Sequence, residues 1–109
     1  MNQTYLWIAQ RISGAILAIC VVVHLVTIIY AVRGGLTAAE ILARTYGSTA
    51  WFAFYTAFVV AAAIHAPIGL RPVLGEWLRW RGVSREFALL LFAAIIFLLG
   101  MRAVLAVFR

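Results

Sequence analysis

Residues 6–32, LWIAQRISGAILAICVVVHLVTIIYAV, decide the fold. Arg11 is the one formal charge, and Gln10, Ser13, His24 and Thr27 are the main polar interruptions in an otherwise apolar run. A helix needs roughly 20 apolar residues to cross the hydrocarbon layer of a bilayer, and this run exceeds that length. It is too long, and lacks the small-residue cleavage site, to be read as a removable signal. Working outward, two further runs are long enough to span, near residues 50–70 and 87–107. The chain is therefore expected to be an all-α integral membrane protein. Its single domain, residues 1–109, would hold three transmembrane helices and form part of a larger multi-subunit bundle.

Composition supports this. The 109 residues are 67% hydrophobic and 11% charged, with a mean hydropathy of +1.09. A soluble domain of this size has too little interior to hide so much apolar surface, so lipid must cover part of it. The net charge of +6 comes from nine arginines against three acidic residues. The arginines cluster at the ends of apolar runs, which is the pattern of a membrane surface and excludes a nucleic-acid face. Arg11, Arg71, Arg79, Arg81 and Arg85 fall on the side of the N-terminus, and Arg33, Arg44, Arg102 and Arg109 on the other. That balance favours a cytoplasmic N-terminus. Tyr5, Trp7, Tyr30, Tyr46, Trp51, Trp77 and Trp80 belong at headgroup depth. Cys20 is the single cysteine, so there is no disulfide framework.

The connections carry their own signals. In RGGLTAAEILARTYGST, residues 33–49, Gly34 and Gly35 end the first helix, and Thr37 with Glu40 reads as a capping box. A short interfacial helix near 37–45 is expected, with Ile41 and Leu42 dipping into the interface. In RPVLGEWLRWRGVSRE, residues 71–86, the polarity is too high for a span, and Ser84 is the expected N-cap of the third long helix.

The histidines stand out because an ionisable group inside a membrane is costly and marks function by default. At about 100° per residue, Gln10, Ser13, Leu17, Cys20 and Thr27 lie within about 60° of His24. This polar and small stripe should face protein. The same arithmetic gathers Trp51, Phe54, Phe58, Ala61, Ala62, Ile68 and Gly69 around His65, leaving room for a flat cofactor. Helix packing alone also accounts for both stripes. With about 1.5 Å of rise per residue, His24 lies roughly 9 Å and His65 roughly 22 Å below the same surface. An offset of about 13 Å suits two haems at different depths better than one sandwiched between both rings. With only two histidines, the remaining ligands would come from another subunit.

QRISGAI at residues 10–16 resembles the His-Arg-x-Ser/Thr-Gly motif of the cytochrome b (b556) membrane-anchor subunit of succinate dehydrogenase, or succinate:quinone oxidoreductase. HAPIGLRPVLGE at residues 65–76 resembles that family's second-helix motif, an axial histidine followed by glycine, arginine and an acidic residue. The resemblance covers nearly the whole chain. It implies that His65 is a haem b axial ligand, and that His24 is a ligand as in the two-haem branch. Arg11, Arg71 and Ser13 then stand near the haem propionates or the quinone. Gln10 replaces the motif histidine, Trp7 stands where some members carry a quinone-contacting serine, and Pro72 replaces a histidine. The resemblance further implies one or two haems shared with a second membrane-anchor subunit, and iron–sulfur and flavoprotein subunits that pass electrons from succinate to quinone. A bacterial inner membrane is the expected location. Two rival readings are a haem-free structural anchor and a small multidrug-type transporter. The second calls for a fourth span and an intramembrane carboxylate, and neither is seen in the sequence.

Overall fold

The structure, a computed structural model, describes residues 2–109. It comprises α1 (Gln3–Gly34), α2 (Ala38–Thr45), α3 (Thr49–Trp77) and α4 (Val83–Phe108). The three long helices are each apolar and long enough to cross a membrane, and the chain is an integral membrane protein. At 1.5 Å per residue the 32 residues of α1 measure about 48 Å, which matches the longest dimension of the molecule, 48 Å.

Helix α1 begins where Asn2 accepts a hydrogen bond from the Thr4 amide at 2.8 Å. Its covered positions include Leu6, Gln10, Ser13, Leu17, Cys20, His24, Thr27 and Ala31, spaced alternately by four and three residues, with Ala9 and Gly14 covered beside them. This is a heptad seam, and it places one continuous edge of α1 against a neighbour. The expected polar and small stripe is this edge. Ile12, Ile19, Val22 and Val26, on the other faces, are largely exposed.

Helix α3 lies in the middle, packed on α1 along one side and on α4 along the other. Close approach of α3 and α4 depends on Gly100, where a Cβ would come within 2.6 Å of Val59. Phe52 and Phe108 meet at 4.8 Å near the far end of the same pair. The accessible surface is 7624 Å², whereas a soluble monomer of 12.0 kDa would expose about 6,000 Å². The excess is apolar and calls for lipid or partner helices to cover it.

The element bounds differ from those expected. Helix α3 does not stop at Leu70 but runs on to Trp77, through both Pro67 and Pro72. Proline frees the carbonyl four residues before it, yet a membrane helix tolerates this when neighbouring helices support it. The α3–α4 turn follows, with Arg79 in the left-handed region at φ 53° and the Trp80 amide donating to the Leu74 carbonyl at 3.0 Å. Helix α4 starts at Val83, with Gly82 in the N-cap position. Ser84 is thus not the cap. The turn swings the Trp80 indole over it, and Nε1 donates to the Ser84 hydroxyl at 2.8 Å.

The expected cap of α2 is present, with the Thr37 hydroxyl accepting from the Glu40 amide at 3.2 Å. Helix α2 packs on the end of α4, so Ile41 turns toward protein and lines a cavity beneath it. The Gly47 amide donates to the Phe108 carbonyl at 2.7 Å, occupying one of the carbonyls a helix end leaves open.

Candidate functional site

The seam between α1 and α3 sets the geometry. Gln10 faces Gly69, with its Nε2 3.1 Å from a Cβ built there, and Gly14 faces His65. His24 faces Tyr55. Each step up α1 is matched by one step down α3, so the two histidines lie at different levels on opposite helices. His65 stands ten residues beyond Tyr55, which puts about 15 Å between the two levels.

At the first level, His65 is half-buried, and its Nδ1 lies 3.4 Å from the Ser13 hydroxyl. Ser13 is only 3% exposed and also donates to the Gln10 carbonyl at 3.2 Å. Gly14 clears space for the ring: a Cβ there would sit 3.3 Å from His65 Cε1. At the second level, His24 Nδ1 lies 3.4 Å from the Tyr55 hydroxyl. The Tyr55 and Phe58 rings meet the His24 imidazole edge-on, at 5.7 Å and 5.6 Å. Among the described residues, Nε2 of neither histidine has a protein partner or is sealed from the surface.

Phe58 was expected beside His65 but lies against His24. The antiparallel register makes residues 55–58 of α3 level with His24, a full seven residues before His65. Tyr55, which sequence reasoning missed, could have been found by the same register. It is held by Trp51, stacked on it at 5.6 Å. His24 opens on a cavity of about 530 Å³ between α1, α3, α4 and α2, walled mainly by apolar groups such as Val59, Ile96 and Val104, with Thr45 and Tyr55 also on its lining.

The arginines lie apart from the imidazoles. Arg71 donates through Nε to Glu86 at 3.0 Å, and Arg85 donates to the same carboxylate oxygen through Nη2 at 3.0 Å. Glu86, one residue before the expected third span, thereby joins the end of α3 to the start of α4. Arg11 lies exposed, with its guanidinium carbon 5.1 Å from the centre of the Trp7 ring. Between the N-terminal part of α1 and the end of α3 is a cavity of about 430 Å³, lined by Gln3, Trp7, Gln10, Gly69 and Arg71 among others. The Gln10 Oε1 is buried there without a partner. Ser13 does not line this cavity.

The five candidate residues therefore occupy four places: Ser13 with His65, His24 with Tyr55, Arg71 on the N-terminal cavity, and Arg11 exposed on the Trp7 ring. Among the described residues, no group of three or more His, Cys, Asp or Glu side chains could hold a bare metal ion.

A three-span helical subunit with one imidazole at each of two membrane depths, and a basic end, is built to work within a larger membrane assembly. The family model of the succinate dehydrogenase/fumarate reductase transmembrane subunit matches residues 2–101. The chain belongs to that family, and so to a complex with other subunits. No curated protein and no solved structure shows a significant match to it.

Proposed function

We propose that this chain anchors its complex in the membrane, binds haem b through His65, and helps form the site where electrons from succinate reach quinone. The carrying observation is the setting of His65. Its Nδ1 is engaged by Ser13 while Nε2 stays unpartnered, beneath a residue with no side chain. A metal-binding imidazole usually has its second ring nitrogen held by a hydrogen bond in this way. The chain offers a single imidazole at each level, so a second imidazole for the haem would come from another subunit, the second membrane anchor. Haem b held by two imidazoles would supply one-electron transfer rather than oxygen chemistry.

His24 holds a second haem in this reading. Its support is the Tyr55 contact to Nδ1 and the adjoining apolar cavity. Quinone belongs in the N-terminal cavity, since its carbonyl oxygens accept hydrogen bonds and Gln10 and Arg71 present N–H donors there. Arg71 engages Glu86 through Nε, leaving its terminal nitrogens for a carbonyl or a propionate. Arg11, stacked on Trp7 at the rim, adds positive charge. Reduction of quinone consumes two electrons and two protons, and this end of the chain would face the iron–sulfur and flavoprotein subunits. With the larger share of arginines on it, that end lies on the cytoplasmic side of a bacterial inner membrane.

A haem-free anchor is the second reading, favoured by the hydroxyl that already stands within 3.4 Å of each imidazole. The reduced-minus-oxidised spectrum of the purified complex separates the two. A b-type band that is reduced in His65→Ala, by one haem where two are present, supports haem ligation, and its absence from the wild-type complex refutes it. His24→Ala should remove one haem and spare the other, and unchanged haem content would refute the two-haem assignment.

A further inference from the structure

We infer that Ser13 is a positioning residue that fixes the tautomer of His65, holding the proton on Nδ1 and leaving the Nε2 lone pair free for a metal. The inference rests on the haem reading of His65 and goes beyond it. It starts from a count of protons. A serine hydroxyl has one proton to donate and two lone pairs to accept with. The Gln10 carbonyl lies 3.2 Å from the Ser13 oxygen and can only accept, so it is the partner that calls for the serine proton, in the back-bond that a serine inside a helix makes to the preceding turn. With that proton so used, the contact to His65 Nδ1 at 3.4 Å is inferred to run the other way, with Nδ1–H donating to the Ser13 oxygen. A neutral imidazole with its proton on Nδ1 has its lone pair on Nε2.

Burial gives this weight. Ser13 is 3% exposed, so water does not compete for its oxygen, and a donor is worth more there than at the surface. Gly14 brings α1 close enough for the contact to form, because its missing side chain is where the His65 ring passes. Ser13 and Gly14 thus act as a pair, one directing the proton and the other admitting the ring. An accepting oxygen on Nδ1–H also raises the basicity of the opposite nitrogen, which favours the oxidised state of a bound metal.

Two measurements test this. Nitrogen NMR of the full chain in detergent micelles, labelled at histidine and assigned by loss of signal in His65→Ala, should show a single Nδ1-protonated tautomer. Ser13→Ala should convert it to a mixture and Ser13→Thr, which keeps the hydroxyl, should restore it. In the intact complex, Ser13→Ala should shift the haem midpoint potential upward and speed haem loss by about tenfold or more, with Ser13→Thr again close to wild type. An Nε2-protonated His65 in the wild-type chain, or a tautomer and potential indifferent to Ser13→Ala, overturns the inference while leaving haem binding intact. A wild-type complex without haem overturns the underlying reading instead, and the NMR result on the chain tells the two failures apart.

Discussion

Gly100→Ala puts a methyl group into the tightest contact between α3 and α4. Its Cβ would lie 2.6 Å from Val59 Cγ1, 2.8 Å from Cγ2 and 3.2 Å from Cβ. Turning the valine about χ1 does not relieve this. Of its three staggered positions two are crowded and two must hold carbon, so at least one crowded position stays filled. The helices must separate instead, by about 0.9 Å to restore an ordinary contact of about 3.5 Å. That movement would pull on the Arg71–Glu86 bridge at one end, 3.0 Å, and on the Phe52–Phe108 contact at the other, 4.8 Å. Overpacking of this kind costs about 1–3 kcal/mol, or about a 5- to 150-fold change in the equilibrium. The assay is reversible unfolding of the purified chain in mixed micelles, followed by loss of helical circular dichroism. Val59→Ala removes both γ carbons, so the double variant should be more stable than the sum of the single effects by about 1 kcal/mol or more. A Gly100→Ala chain as stable as wild type, or strictly additive effects, would refute the contact.

Three further outcomes are expected. Glu86→Gln leaves Arg71 and Arg85 without their shared carboxylate; the side chains are 13–34% exposed, so the loss should lie between surface and buried pairs, at about 1–2 kcal/mol. Melting curves with and without added salt check this, and a salt-independent loss would argue against an electrostatic origin. Thr37→Ala should cost about 1 kcal/mol, confined to α2, and hydrogen exchange should show faster opening of that helix alone. Tyr55→Phe keeps the ring against His24 but removes the hydroxyl, so with two haems in the complex it should shift the potential of one and spare the other. Equal shifts in both would contradict a Tyr55 contact private to His24.

Much of the architecture was legible because a membrane imposes it. Length and hydropathy alone specify three spans, since only helices satisfy the backbone in lipid. The stripe through Gln10, Ser13, Cys20 and His24 was legible for a related reason. Polar and small side chains on an otherwise apolar helix must turn toward protein, and in the structure these four are among the covered positions of α1. The ends were harder. Pro67 and Pro72 signal a stop in water, yet α3 continues through both, because neighbouring helices decide what a proline costs. Ser84 has the side chain of a cap, but the left-handed turn at Arg79 gives its hydroxyl to Trp80.

The pairings were legible only in part, because they depend on register, which periodicity does not contain. Knowing that α1 and α3 are antiparallel places His24 and His65 at different depths, but not beside particular residues. A single fixed pair would have settled the rest. Once Gly14 is set against His65, the antiparallel count carries Gln10 to Gly69 and His24 to Tyr55, the neighbours found. Gly14 is the natural choice for that first pair. An imidazole needs a gap in the facing helix, and on α1 between Leu6 and Val32 glycine occurs once. The step from Ser13 to Gly14 therefore specifies the α1–α3 register as well as the setting of His65, which links the packing of the two helices to the chemistry proposed between them.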